Sequence, residues 1–261
     1  MPLKTKQHEQ FIVLMTSDIN INHSALKHRR QNIVVASKYD DILVNIETTQ
    51  FDLILLDFTV NDSTIPLPDR SWHFRYPWQS ELITRIKDPF GINSETPIIA
   101  IINPADEFHS DQQYPLMAFH DCLTGPITEQ RANEVIDLWQ TKALALDYVQ
   151  IILSKTKNNQ RLTLTLCEKL FDELPSQIIN IKDALENKQY DLAQEVTHKL
   201  NGSASFCGLT DIQQSASALE SCLLNNNFAN AYQNFLMLQQ CILDFSRHQK
   251  FILAHLGRVL N

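Results

Sequence analysis

Long apolar runs are missing from this chain of 261 residues. The first ten residues, MPLKTKQHEQ, are polar, and the apolar run after them, Phe11 to Met15, is too short for a signal core or a membrane span. Membrane insertion is therefore not expected, and the expected compartment is the cytoplasm. Cysteine is sparse: Cys122, Cys167, Cys207, Cys222 and Cys241 are odd in number and contain no C-x-x-C pair. That argues against a disulfide framework and a zinc site and leaves reduced, mostly buried thiols. A basic stripe is also missing. Residues 1–141 hold 11 Lys+Arg against 19 Asp+Glu, giving −8, and residues 142–261 hold 11 against 11, giving zero. Nucleic acid is thereby excluded as a direct partner. No internal repeat or low-complexity tract is present, and glycine occurs only five times.

What is present divides into two halves of different period. FIVLM (11–15), NIVVAS (32–37), DLILLD (52–57) and PIIAII (97–102) are apolar throughout, as parallel strands buried on both faces are, and DCLTG (121–125) is a weaker fifth. Helical stretches near 23–30, 39–49, 78–88 and 128–146 lie between and after them. The expected fold of residues 1–141 is α/β, a doubly wound five-stranded parallel sheet whose chemistry sits at the carboxyl ends of the strands. Thr16, Ser17, Asp18, Asp57, Ile102, Asn103 and Gly125 occupy those ends.

From about Ala143 onward the apolar residues fall at helical spacing, in 162–174, 189–207, 211–224 and 228–256. Four helices with short links predict an all-α, antiparallel four-helix bundle over 142–261. Gly208 is placed to end the second helix, Thr210 with Gln213 to start the third as a capping box, and Asn225–Asn227 to make the next turn. Pro175 is expected to kink the first helix. The boundary falls within a few residues of 142, and a connecting helix shared by both halves is one way to build it.

Within EVTHKLNGSASFCGL (195–209), His198 precedes Gly202 by one helical turn. At 100° per residue, Asp191, Gln194, Glu195, Asn201, Gly202 and Ser205 fall within about 60° of His198, and all are polar or nearly without a side chain. Val196, Leu200, Ser203 and Cys207 fall on the far side, so His198 is expected to point outward. Metal binding drops out because the position one turn on, where a second ligand would stand, is glycine. A hydrolase triad lacks an assignable nucleophile. The face offers an accessible imidazole able to act as a nucleophile, a gap at Gly202 for another protein's backbone, and Lys199 and Asn201 as donors to a phosphoryl group.

HKLNGSASFCGL resembles the signature of histidine-containing phosphotransfer (HPt) domains, and the resemblance covers roughly residues 142–257, including LFDELP upstream of Pro175. It is most similar to the carboxy-terminal domains of hybrid sensor kinases. The resemblance implies that His198 is the phosphoacceptor and that Gly202 is the docking gap for a receiver domain, with Lys199, Asn201, Gln194, Glu195 and Ser205 around it. The third position after the histidine, often lysine in the family, is Asn201 here.

The first half resembles a response-regulator receiver domain, with FDLILLD placing the family's phosphoacceptor aspartate at Asp57. The rest of that family's site is depleted. Thr16 and Ser17 stand where an acidic pair would hold Mg²⁺, leaving Asp18 nearby, and Gly125 in LTGPI replaces the lysine of Lys-Pro. An insertion over 61–80 carries Trp72, Phe74, Tyr76 and Trp78. Phosphoryl transfer depends on positioned cations, so Asp57 is expected to be a poor acceptor and this half a degenerate, regulatory receiver. The expected function is a two-component phosphorelay intermediate: a phosphocarrier, not an enzyme with its own kinase or metal site. It binds no cofactor of its own, receives Mg²⁺ chemistry from the partner receiver, and exchanges phosphate with receiver domains of response regulators or hybrid histidine kinases. The alternative is a phosphorylation-independent module that sequesters a kinase or a response regulator.

Overall fold

The computed structural model describes residues 10–16, 31–59, 77–102 and 119–260. The expected helix at 23–30, Ser17, Asp18 and Asn103, and nearly all of the 61–80 insertion lie outside them. Contacts separate residues 6–140 from residues 141–261.

In the first unit, β1 (Phe11–Met15), β2 (Gln31–Val35), β3 (Leu53–Asp57), β4 (Ile98–Ile102) and β5 (Asp121–Thr124) form one parallel sheet in the order β2-β1-β3-β4-β5. This is a doubly wound order, with the strand sequence reversing beside β1. Residues of both parities along β1, β3 and β4 are buried, Leu14, Ile54 and Ile98 on one face and Val13, Leu53 and Ile99 on the other. A strand covered on both faces cannot alternate polar and apolar residues, and this is why the sequence shows continuous apolar runs. Helices α1 (Tyr39–Thr48) and α2 (Pro77–Ile86) cover the Leu14 face through Ile42, Ile46, Leu82 and Ile86.

Helix α3 (Glu129–Lys155) runs past the expected end at 146, and its second half packs into the core of the helical unit through Ala145, Val149 and Ile152. There α4 (Gln160–Glu186), α5 (Tyr190–Cys207), α6 (Thr210–Leu224) and α7 (Phe228–Ser246) form the bundle, each packing on the next and α7 closing back on α4. Helix α8 (Gln249–Leu260) packs on α4. The fold class read from the sequence holds in both units, with three local corrections. Helix α4 contains Pro175 and runs on to Glu186, beyond the apolar spacing that ended at 174. The capping box does not form: Leu209 is the cap residue, without a side-chain bond, and Thr210 is already helical, its hydroxyl donating to Gly208 O at 3.4 Å. The expected helix 228–256 breaks at Arg247–His248, where the His248 N–H turns to Phe245 O and its buried ring meets Thr141 O through Nδ1 at 3.1 Å. An inward polar ring with a partner on another helix competes with straight helical continuation, and apolar periodicity does not register it.

Candidate functional site

Helix α5 is fixed along its buried line, Ala193, Thr197, Leu200, Ala204 and Cys207. Thr197 is tolerated there because its hydroxyl donates to Ala193 O at 2.7 Å. The line is rotated from the expected one: Val196 and Ser203 are only half-buried. Gly208 ends the helix at φ 74°, its N–H reaching Ala204 O and Ser205 O. A β-carbon there would also stand 2.9 Å from Ile151 Cγ2 and 3.0 Å from Lys155 Cε, so the position needs glycine for backbone conformation and for the approach of α3.

On the outer face His198 is 75% exposed. Its Nδ1 lies 2.7 Å from Glu220 Oε1 on α6. The other oxygen, Glu220 Oε2, accepts from Asn201 Nδ2 at 2.9 Å, and the same amide donates to Ser217 Oγ at 3.1 Å. Burial alone would raise the Glu220 pKa, but hydrogen bonds from Asn201 and His198 together with the nearby imidazole outweigh it and hold the carboxyl below its ordinary value. An ionised Glu220 only accepts, so the hydrogen of the pair belongs to Nδ1. In the neutral imidazole the lone pair is then on Nε2, which has no partner among the described residues. The site is a nucleophilic nitrogen pointing at solvent, its tautomer and ring orientation set by a carboxylate on the neighbouring helix.

The roles expected of the flanking residues change accordingly. Asn201 is committed to Glu220 and Ser217 and is not an open donor; Lys199 Nζ donates to Glu195 Oε1 at 2.6 Å. The Asn201 partners lie on α6, whereas the Lys199 bond is a surface pair one turn along its own helix that leaves two of the three ammonium donors open. Gly202 is open, with nothing within 4 Å of a β-carbon placed there. Gly257 in α8 is equally open, so space alone assigns nothing; what sets Gly202 apart is its place one turn beyond the exposed imidazole. Ser205 is exposed, and Gln194 is half-buried at a surface groove of about 580 Å³ shared with Lys188, Tyr190 and Phe228. Glu220 is the residue that the sequence alone did not yield. It lies 22 positions from His198 on another helix, and no local spacing marks the pair.

In the sheet unit, Asp57 is buried at the end of β3. Its N–H donates to Thr16 Oγ1 at 3.0 Å, and its Oδ1 accepts from Thr59 N at 2.8 Å and Thr59 Oγ1 at 2.6 Å. The carboxylate caps the turn that follows its own strand. Beside it, a β-carbon on Gly125 would stand 2.5 Å from Thr59 Cγ2 and 2.8 Å from Ile101 Cγ2, so the position that the receiver resemblance gives to lysine has no room for any side chain. Gly125→Ala is expected to destabilise the sheet unit by about 1–3 kcal/mol through overpacking, read as a fall in the urea midpoint. Asp18, the remaining acidic candidate, lies outside the described residues.

Residues 165–247 match the family model of the Hpt domain. This part of the chain is an Hpt domain. Among solved structures, the chain is similar to the HPt domain of a sensor hybrid histidine kinase from Shewanella, with 21% identity over 43% of this chain and 91% of that one and a TM-score of 0.34. It is also similar to the receiver domain of a sensor histidine kinase from Pseudomonas aeruginosa, a structure with magnesium in its active-site cleft, with 17% identity over 50% of this chain and 97% of that one and a TM-score of 0.32. No curated protein matches the sequence. An Hpt domain is a phosphocarrier module of two-component phosphorelays and not itself a kinase. Among the described residues, no group of three or more His, Cys, Asp or Glu could hold a metal ion, and no helix is long and apolar enough to cross a membrane. Inside the Hpt domain, Cys167 and Cys207 are buried thiols whose pKa values burial pushes up to about 12 and about 11.

Proposed function

We propose that His198 is the phosphoacceptor of a phosphorelay, taking a phosphoryl group from the aspartate of one receiver domain and passing it to another. The observation that carries the reading is the His198–Glu220 pair: an exposed imidazole whose Nδ1 is held at 2.7 Å while Nε2 faces solvent. In the forward step the Nε2 lone pair attacks the phosphorus of the receiver's aspartyl phosphate. The N–P bond forms, the P–O bond breaks, and the aspartate leaves as carboxylate. The Nδ1 proton stays on the ring, where Glu220 offsets the positive charge that phosphorylation places on the imidazole. The reverse sequence on a second receiver returns His198 to its starting state. The incoming receiver supplies Mg²⁺ and the lysine that neutralise the moving phosphoryl group, and Gly202 leaves its backbone room to approach. Gln194, Glu195, Lys199, Asn201 and Ser205 make up the contact face around the imidazole.

The sheet unit acts in this reading as a pseudo-receiver that takes no phosphate, because Thr59 N and Oγ1 engage Asp57 Oδ1 and the packing around Gly125 leaves no room for the side chain of the family's lysine. The phosphotransfer domain spans 142–261 and the pseudo-receiver 1–141. The rival reading, sequestration of a kinase or regulator without phosphotransfer, makes the opposite forecast for the histidine. The deciding experiment is Mg²⁺-dependent transfer from a panel of receivers charged with acetyl phosphate. Acid-labile, base-stable label on this chain supports the relay; tight binding to one receiver with no transferred label overturns it in favour of sequestration.

Glu220→Ala is expected to slow transfer roughly ten- to a hundredfold, because it leaves Nδ1 unpartnered, leaves Asn201 with Ser217 alone, and frees the ring to turn. Glu220→Gln, which keeps an acceptor oxygen, is expected to cost several-fold less; rapid-quench transfer kinetics at saturating receiver read both. Because the Glu220 pKa is depressed in the folded state, its contribution is present above the ordinary carboxylate range and is lost only as pH falls through the depressed value.

A further inference from the structure

Helix α7 is the least charged helix of the bundle. Its 19 residues, FANAYQNFLMLQQCILDFS, contain one formal charge, Asp244, and that carboxylate is paired with Arg247 at 2.8 Å. Its outer face nevertheless carries Tyr232, Leu236, Met237 and Leu243, each between 40% and 54% exposed. Tyr232, Leu236 and Leu243 lie within about 40° of one another around the helix, and Met237 flanks them across Gln233 and Gln240. Single exposed apolar residues are ordinary, but a stripe of three with a fourth beside it, on a helix whose one charge is paired, marks a contact surface.

We propose that this face of α7 is a homodimer interface, its occupant the same face of a second copy of the chain. The argument is electrostatic. Two copies of a surface meet without like-charge repulsion only when the surface is close to neutral, and α7 is neutral once Asp244 is paired, within a half-chain of zero net charge. Residues 1–141, at −8, are unsuited to self-apposition. The polar groups beside the stripe are uncharged: Gln233 and the Tyr232 hydroxyl can both donate and accept, and Gln240, whose amide donates to Asp244 Oδ1 at 2.9 Å, keeps its carbonyl oxygen as an acceptor. An antiparallel crossing sets Tyr232 of one copy against Leu243 of the other about an axis near Leu236 and Gln240. In the bundle α7 packs on α6 and α4, diagonally across from α5, so the dimer keeps both His198 side chains exposed. The inference is independent of whether His198 carries phosphate.

One helix pair buries less than the roughly 800 Å² per partner of a standard interface, so the dimer is expected to dissociate at micromolar concentrations. Sedimentation velocity on the full chain from about 1 to 300 µM tests this. The expected result is a weight-average mass rising from the 30.0 kDa monomer towards twice that value. Leu236→Lys is expected to weaken association at least about tenfold. Ile179→Lys, which charges an apolar side chain 58% exposed on α4, is expected to leave it unchanged. Leu243→Gln, an uncharged change on the same stripe, gives a second reading should Leu236→Lys disturb folding. Three results would each overturn the proposal: a wild-type chain that stays monomeric, a dimer indifferent to both α7 variants, or a monomer in which those variants raise hydrogen exchange in residues 6–140, the sign that the chain covers α7 itself.

Discussion

His198→Gln is expected to remove phosphoryl label from this protein, lowering transfer from a charged receiver by at least about a thousandfold. The magnitude follows from what the substitution takes away. A glutamine amide has no basic nitrogen lone pair, so the N–P bond has no nucleophile, and no other imidazole on α5 can stand in. The side chain is 75% exposed, and glutamine can still donate to Glu220, so the Hpt domain should melt within about 2 °C of the wild type. Retention of the fold makes the loss of label a statement about chemistry. Asp57→Asn is the companion variant. On the pseudo-receiver reading its label should equal that of the wild type, because Asp57 Oδ1 is already engaged by Thr59 N and Oγ1. Label that is base-labile and vanishes with Asp57→Asn would transfer the acceptor role to the sheet unit and sink the assignment of His198.

Gly202→Gln is the second large effect, and its two readouts should move in opposite directions. Glycine inside a helix costs roughly 0.5–1 kcal/mol relative to a good helix former, and nothing within 4 Å obstructs a β-carbon here, so the variant should be more stable by about 0.5 kcal/mol and the Ala variant by somewhat more. Phosphotransfer from a receiver should fall at least about tenfold in Gly202→Gln, because the added side chain stands one turn from the imidazole, where the incoming backbone must pass. Gly202→Ala, adding a single carbon, should lose only a few-fold. Thermal melts and rapid-quench transfer on the same preparations give both numbers. A stabilised variant that transfers at the wild-type rate would remove Gly202 from the docking surface.

Much of this was legible in the sequence because of periodicity. The apolar runs at 11–15, 52–57 and 97–102 became β1, β3 and β4 nearly residue for residue, since a strand buried on both faces must be apolar throughout, whereas β2 and β5 carry exposed residues and gave weaker runs. The helical spacing that put His198 outward worked because a continuous helix of known pitch needs no tertiary information. What failed depended on contacts between elements. Glu220 was invisible because α5 and α6 must first pack before the two side chains meet. Asn201 was read as a phosphate donor from its place on the wheel, and its amide bonds to Glu220 and Ser217 on α6. The break at His248 falls in the same class: local composition allowed one answer, and a partner elsewhere in the fold chose another.

The empty space above Gly202 has a consequence for how such a chain responds to selection. In a library screened for heat resistance alone, nearly any residue at 202 beats glycine, and no neighbouring side chain penalises the newcomer. Gly208 behaves oppositely, since its left-handed backbone and the wall formed by Ile151 and Lys155 make replacement costly under the same screen. A thermostability campaign would therefore keep the glycine that shapes the domain and discard the one that lets a partner reach it, so the record of what spread through the library would separate architecture from signalling without a single activity assay.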